Sequence, residues 1–248
     1  MSVLVSELTP SANQPRRGAV DRIRGRTAYG LVVGATWEGG RVSDLHCPAT
    51  LLVARHGDAG YPHPAVLSDD GGWLTDTGRA QVLELADSLR SRNVAAVYTS
   101  RLQRAVESGV VAAEALGVGS RVVDGLEEFS VGALAGREHD DAELLGVFEA
   151  WKAGHLGTVV PGGESGRAVL DRYRSALEEI ADLHRGETVL VFTHGGVMSF
   201  AVPRMGRNVR SDLAEQLYLP NCAVAEVLVD ADDVTVVSWP GSTDRSVV

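Results

Sequence analysis

From Ala49 onward, short apolar runs alternate with stretches whose apolar residues recur at helical spacing. Thr50–Arg55 is apolar up to its last residue and reads as a buried strand. "LTDTGRAQVLELADSLRSRN" comes next, with Val82, Leu85, Ala86 and Leu89 on one helical face. Ala95–Thr99 predicts a second strand, and "SRLQRAVESGVVAAEALG" a helix closed by Gly117. Val122 and Val123 suggest a further strand, and Asp140–Ala153 a helix. "ESGRAVLDRYRSALEEIADLHRG" is strongly amphipathic, its stripe made of Val169, Leu170, Tyr173, Leu177, Ile180 and Leu183. Thr188–Thr193 is again an apolar strand, with a short helix starting near Gly195. Cys222–Val229 and Val234–Trp239 read as two last strands around the acidic turn "DADD".

Strands and helices in alternation predict an α/β fold, a three-layer α/β/α sandwich around a mostly parallel central sheet. Such sheets bind ligands beyond the carboxyl ends of their strands, where the strand order changes direction. Residues 1–48 break the alternation. "SANQPRRGAVDRIRGR" is polar and arginine-rich, and "AYGLVVGATWEGGRV" fits a hairpin turning at Glu38-Gly39-Gly40. This stretch is read as an N-terminal extension or the product of a misplaced start codon, and residues 49–248 as the functional domain.

Composition narrows the options. The chain has 248 residues, enough to bury a sizeable core, and 44% of them are hydrophobic. It contains no apolar run of membrane-spanning length and no basic-then-apolar start, so a cytoplasmic protein is expected. Cys47 and Cys222 are too few for a disulfide framework and lack zinc-type spacing. A formal net charge of −10 argues against nucleic acid and anionic membranes as partners. An anionic ligand would need a local basic cluster, and since Lys152 is the one lysine, that cluster would be arginine. The oligomeric state, a homodimer included, is open.

The strand ends supply the cluster. Thr50–Arg55 runs into Arg55-His56-Gly57, and Thr188–Thr193 into His194-Gly195-Gly196. Ser100, Arg101 and Arg104 come just after the strand Ala95–Thr99, with the two arginines spaced for one face of a first helical turn. Glu127 and Glu128 stand in the glycine-rich stretch "LEEFSVGALAG". Each signal alone is weak. Two histidines, two arginines and a glutamate carried by one sheet form a set suited to phosphoryl transfer.

With these motifs in order, the chain resembles the histidine phosphatase superfamily, also called phosphoglycerate-mutase-like, in its phosphatase branch. "RHG" (55–57), "LTDTGRAQ" (74–81), "SRLQRA" (100–105), "LEEFSVGALAG" (126–136), "PGGES" (161–165) and "THGG" (193–196) carry the resemblance, which runs from Leu51 to about Val229. It implies that His56 is the nucleophile. Arg55, Arg104 and His194 would surround the phosphoryl oxygens. Glu128, chosen over Glu127 by the family pattern, would be the general acid and then the base. Gly57 and Gly195 would let backbone amides approach the anion. Arg101 either adds a contact to a second anionic group or lies in solvent. No cofactor or metal is implied; "REHDDAE" (137–143) is read as a helix start capped by Asp140 or Asp141 rather than a metal cluster.

The implied function is hydrolysis of a small phosphate ester through a phosphohistidine, by a phosphoric monoester hydrolase of the histidine acid phosphatase type. The alternatives are a cofactor-dependent phosphoglycerate mutase and a phosphoprotein (phosphohistidine) phosphatase. Asp58, Ala59, Leu134 and Ala135 depart from the commoner family residues, and are expected at the pocket mouth, where they bear on the substrate. The segment Arg137–Val160 is expected to form the lid that selects it.

Overall fold

The computed structural model describes residues 47–214, 219–231 and 233–241. The hairpin expected around Glu38-Gly39-Gly40, and the rest of the extension to residue 46, fall outside them.

In chain order the elements are β1 (Ala49–Arg55), β2 (Ala59–Gly60), β3 (Trp73–Leu74), α1 (Asp76–Ser88), β4 (Val94–Thr99), α2 (Gln103–Leu116), β5 (Ser120–Val122), α3 (Ala142–Lys152), α4 (Gly166–Leu183), β6 (Thr188–Thr193), α5 (Gly195–Met205), β7 (Val224–Asp230) and β8 (Asp233–Ser238). The main sheet has the order β5-β4-β6-β1-β7-β8. Pairings β4–β5, β4–β6 and β1–β6 are parallel, and β7 and β8 add an antiparallel edge. The expected mostly parallel sheet is therefore present.

Side-chain alternation builds the two faces. Leu51 and Val53 of β1, and Val189 and Val191 of β6, join the core beneath α3, α4 and α5. Leu52, Ala54, Leu190 and Phe192 point the other way, into the core under α1 and α2. Every one of these strand residues is thus buried on one side or the other, which is why the strands read as continuous apolar runs. The result is the three-layer sandwich.

Helix boundaries are set by local chemistry. Thr75 caps α1 by accepting the Gly78 amide, and Ser165 caps α4 by accepting the Ala168 amide. Asp141, not Asp140, caps α3 by accepting the Glu143 and Leu144 amides. Gly117 ends α2 at φ 72°, a left-handed conformation that favours glycine. Two expectations need correcting. Leu183 does not join the buried stripe of α4; it is 59% exposed at the last position of the helix, and His184 after it is the residue that turns inward, onto Tyr98. The next-to-last strand starts at Val224 rather than Cys222, since Cys222 adopts φ 58° and gives its amide to the Arg55 carbonyl. Among the described residues no helix is long and apolar enough to cross a membrane.

Candidate active site

The order of strands places the chemistry. β6 lies between β1 and β4, so the carboxyl ends of these three parallel strands sit side by side. Thr193 is in register with Arg55, and Thr99 with Phe192. His56, Ser100 and His194 are the first residues past the three ends, and all three are buried.

His56 is held in one tautomer. Its Nδ1 lies 2.7 Å from the Gly57 carbonyl, which can only accept, so Nδ1 carries the hydrogen. Nε2 then keeps its lone pair, and Arg104 Nε donates to it at 3.0 Å. Burial, with Arg104 and then Arg55 nearby, pushes the His56 pKa down to about 3 despite the opposing Gly57 contact. The backbone around His56 is tied from afar: Asn221 Nδ2 donates to its carbonyl, and the Arg55 guanidinium to the Leu219 carbonyl.

His194 stands against it, with ring centroids 5.3 Å apart and planes at 53°. Its Nε2 is 2.6 Å from Ser100 Oγ, and that oxygen accepts the Leu102 amide. A hydroxyl can both donate and accept, so this contact is compatible with either tautomer of His194. Its Nδ1 is buried without a hydrogen-bond partner. Burial, then Arg104 and His56, hold His194 well below the usual histidine range. Both imidazoles are neutral in the resting protein.

Arg104 does not share a helix face with Arg101, as the i, i+3 spacing suggested. α2 starts at Gln103, so Arg101 precedes it. Arg104 is buried and also donates to the Gly71 carbonyl at 2.7 Å. The Arg101 side chain is 69% exposed, its Nε 3.6 Å from Glu127 Oε1.

Glu128 is half-buried, and its carboxylate sits against the N-terminus of α5. Its Oε2 accepts the Gly196 amide at 2.8 Å, and its Oε1 accepts Val197 at 2.6 Å and Phe129 at 3.2 Å. Burial nevertheless outweighs these donors and raises its pKa. A Cβ on Gly196 would come within 2.8 Å of Glu128 Oε1 and 2.5 Å of the Phe129 ring. Gly196 is therefore what lets this carboxylate reach the helix N-terminus, and sequence reasoning passed over it in favour of Gly195. Glu127 turns aside, its Oε2 accepting the Gly125 amide.

Arg55, Arg104 and Glu128 line one cleft of about 660 Å³, together with Arg101, Phe129, Phe148 and Arg172. Of the five residues expected to carry chemistry, Arg55, Arg104 and Glu128 line this cleft, while the buried His56 and His194 are not among its lining residues and join the group through the Arg104 hydrogen bond and their own ring contact. Both glycines also serve close packing. The Gly57 amide donates to Ser108 Oγ, and its missing Cβ leaves room for the Gly78 carbonyl. Gly195 makes room for the Arg55 side chain. None of Asp58, Ala59, Leu134 and Ala135, expected at the pocket mouth, is among the residues lining the cleft: Asp58 accepts the Thr75 hydroxyl at 2.6 Å, Ala59 pairs with Leu74, Leu134 is fully buried in the core, and Ala135 is exposed. Helix α3 does reach the cleft, through Leu144 and Phe148. Among the described residues no group of three or more His, Cys, Asp or Glu is arranged to hold a metal ion.

The family model of the "Histidine phosphatase superfamily (branch 1)" matches residues 51–241. The chain belongs to this superfamily. It is 29% identical over 197 residues to "Phosphoglycerate mutase-like protein 4" of Arabidopsis thaliana, covering 77% of this chain and 84% of that protein. It is 33% identical over 159 residues to "Metal-independent phosphoserine phosphatase", also of Arabidopsis thaliana; this covers 60% of the chain and 65% of the relative. Among solved structures, Bacillus stearothermophilus YhfR superposes with a TM-score of 0.66 at 27% identity, covering 80% of this chain and 99% of that one.

Proposed function

We propose that the protein is a phosphomonoesterase that hydrolyses a small phosphorylated metabolite through a phosphohistidine on His56. The observation that carries this is the state of His56: a neutral ring whose Nε2 lone pair faces Arg104, 3.0 Å away, with its hydrogen fixed on Nδ1 by Gly57. A phosphoryl group entering the cleft takes over the Arg104 hydrogen bond and frees that lone pair for in-line attack. In this reading Ser100 donates to Nε2 of His194, so its unpartnered Nδ1 carries the hydrogen and, with Arg55 and Arg104, donates to the phosphoryl oxygens as charge builds on them. His56 Nε2 bonds to phosphorus, the ester P–O bond breaks, and Glu128 gives its proton to the leaving oxygen. Glu128 then takes a proton from water, which breaks the P–N bond and releases phosphate. A similarity to a metal-independent phosphoserine phosphatase supports hydrolysis as the outcome. So does the short stretch between Glu128 and Pro161, where α3 is the one α-helix.

Phosphate release from a panel of phosphorylated metabolites tests the reading, with phosphoglycerate isomerisation assayed beside it. Activity is expected to survive EDTA and to be inhibited by vanadate. Loss on chelation with recovery on added zinc or magnesium would overturn the all-protein site.

The pKa directions predict a pH signature. His56, depressed to about 3, is already neutral throughout the useful range and imposes no acid limb near 6.5. Glu128, raised by burial, must hold its proton to act as an acid, so protonation of a poor leaving group fails as pH rises through its pKa. Once each kcat/KM is corrected for the separately measured second ionisation of its own ester, the ratio for an alkyl phosphate to p-nitrophenyl phosphate isolates Glu128. That ratio is expected to fall with rising pH, and a flat ratio would contradict the assignment.

A further inference from the structure

Resting on that reading, we propose that Arg172 is a positioning residue for the proton transfers of Glu128. Every N–H of its guanidinium is used. Nε donates to Glu164 Oε1 at 2.7 Å, and Nη2 to Glu164 Oε2 at 3.0 Å. Nη1 donates to the carbonyls of Gly125 and Glu127, both at 2.8 Å, and Nη2 to that of Glu128 at 3.1 Å. The planar fork of arginine offers five donors in one plane, and here five acceptors meet them.

The arrangement has a direction. Arg172 projects from α4, whose face carrying Val169, Tyr173, Leu177 and Ile180 is locked into the core. The segment it grips, residues 125–128, belongs to no helix or strand. Glu164 extends the grip by accepting the Ser130 amide at 3.3 Å. A Cβ at Gly125 would lie 2.7 Å from the Arg172 carbonyl, so the turn rests directly on the helix. Glu128 is thus fixed from two sides: its main chain by Arg172 on α4, its carboxylate by the amides of α5. Without the first, the carboxylate remains a ligand of α5 but its backbone is free to shift, and a proton relay tolerates little displacement. Lysine cannot substitute, having neither the fork nor enough donors.

Arg172 also lines the cleft, so direct substrate binding is the competing role, and leaving-group dependence separates the two. Arg172→Lys and Arg172→Gln would be assayed with an alkyl phosphate and p-nitrophenyl phosphate beside Glu128→Gln. Both variants are expected to lose kcat on the alkyl ester by about tenfold or more, a fraction of the effect of removing the acid itself. Phosphorylation of His56 by p-nitrophenyl phosphate should stay within about threefold of wild type, with phosphohistidine accumulating because water activation is slowed. Glu164→Gln should act in the same direction, more weakly. A rise in KM on both esters with kcat preserved would make Arg172 a substrate contact and overturn the proposal. An equal loss in the rate of His56 phosphorylation by both esters, tracking a lowered melting temperature and with no phosphohistidine accumulating, would make it scaffold alone, and overturn it too. If Glu128→Gln shows no leaving-group dependence, the role of Glu128 falls, and this inference with it. If Glu128→Gln shows that dependence and the Arg172 variants do not, the positioning role alone is wrong.

Discussion

His56→Ala is expected to abolish phosphate release while the protein remains folded. Loss of a covalent nucleophile costs several kcal/mol of barrier, on the order of thousands-fold in rate or more. The fold should hold because the strand beneath it does not depend on the imidazole. The His56 amide donates to the Thr193 carbonyl, and its carbonyl accepts from Asn221 Nδ2. The variant loses the acceptor for Arg104 Nε, and that guanidinium keeps its bond to the Gly71 carbonyl. Circular dichroism and p-nitrophenyl phosphate turnover, measured together, check both halves. Near wild-type turnover in a folded variant would show that phosphorus is attacked by some other group.

Glu128→Gln separates the two chemical steps. With an alkyl phosphate the leaving oxygen needs a proton, so attack by His56 should slow by roughly a hundredfold or more. A nitrophenolate departs unaided, so phosphorylation of His56 should suffer little while hydrolysis stalls, and rapid quench with mass spectrometry should trap phosphohistidine. The variant is less neutral than its shape suggests. Gln keeps one acceptor oxygen; placed at Oε1 it serves Val197 and Phe129, but its NH₂ then confronts the Gly196 amide. A stability loss of about 1–3 kcal/mol is expected from that unsatisfied donor. The trapped intermediate, not the rate alone, therefore identifies the role. If Glu127→Gln trapped it instead, the two glutamates would exchange roles. The present geometry opposes that, since Glu127 Oε2 is turned back to the Gly125 amide.

The parts of this site that are readable from sequence share a property: their signal is local. The apolar runs ending in "RHG" and "THGG" announce two strands and the histidines at their ends, and side-chain alternation on β1 and β6 settles both faces of the sheet. The end of α2 is likewise announced by Gly117, which takes the left-handed conformation there. The hidden parts are contacts between a side chain and a distant main-chain atom. Arg172 reaches carbonyls 44 to 47 residues away, and Asn221 a carbonyl 165 residues away. A carbonyl has no identity in a sequence, so nothing marks its partner. Arg101 misleads for a different reason. Its spacing from Arg104 is correct for a helix, but α2 starts two residues later than the pattern requires. Gly196 escapes notice because the group that makes it necessary, the Glu128 carboxylate, comes from another loop.

The paired imidazoles bear on trace-metal poisoning. Two neutral histidines with ring centroids 5.3 Å apart are the kind of ligand set that zinc or nickel seeks, and a hydrolase built this way would be expected to foul in a metal-rich cell. Here the entering cation would have to displace Arg104 from His56 Nε2 and prise His194 from Ser100. It would do so in the field of the Arg104 and Arg55 guanidiniums, with a repulsion that burial amplifies. The same charges attract a phosphate dianion. Discrimination by sign is thus confined to the two guanidiniums beside the histidines, since the cleft lining also carries Asp69, Glu127, Glu128 and Glu164.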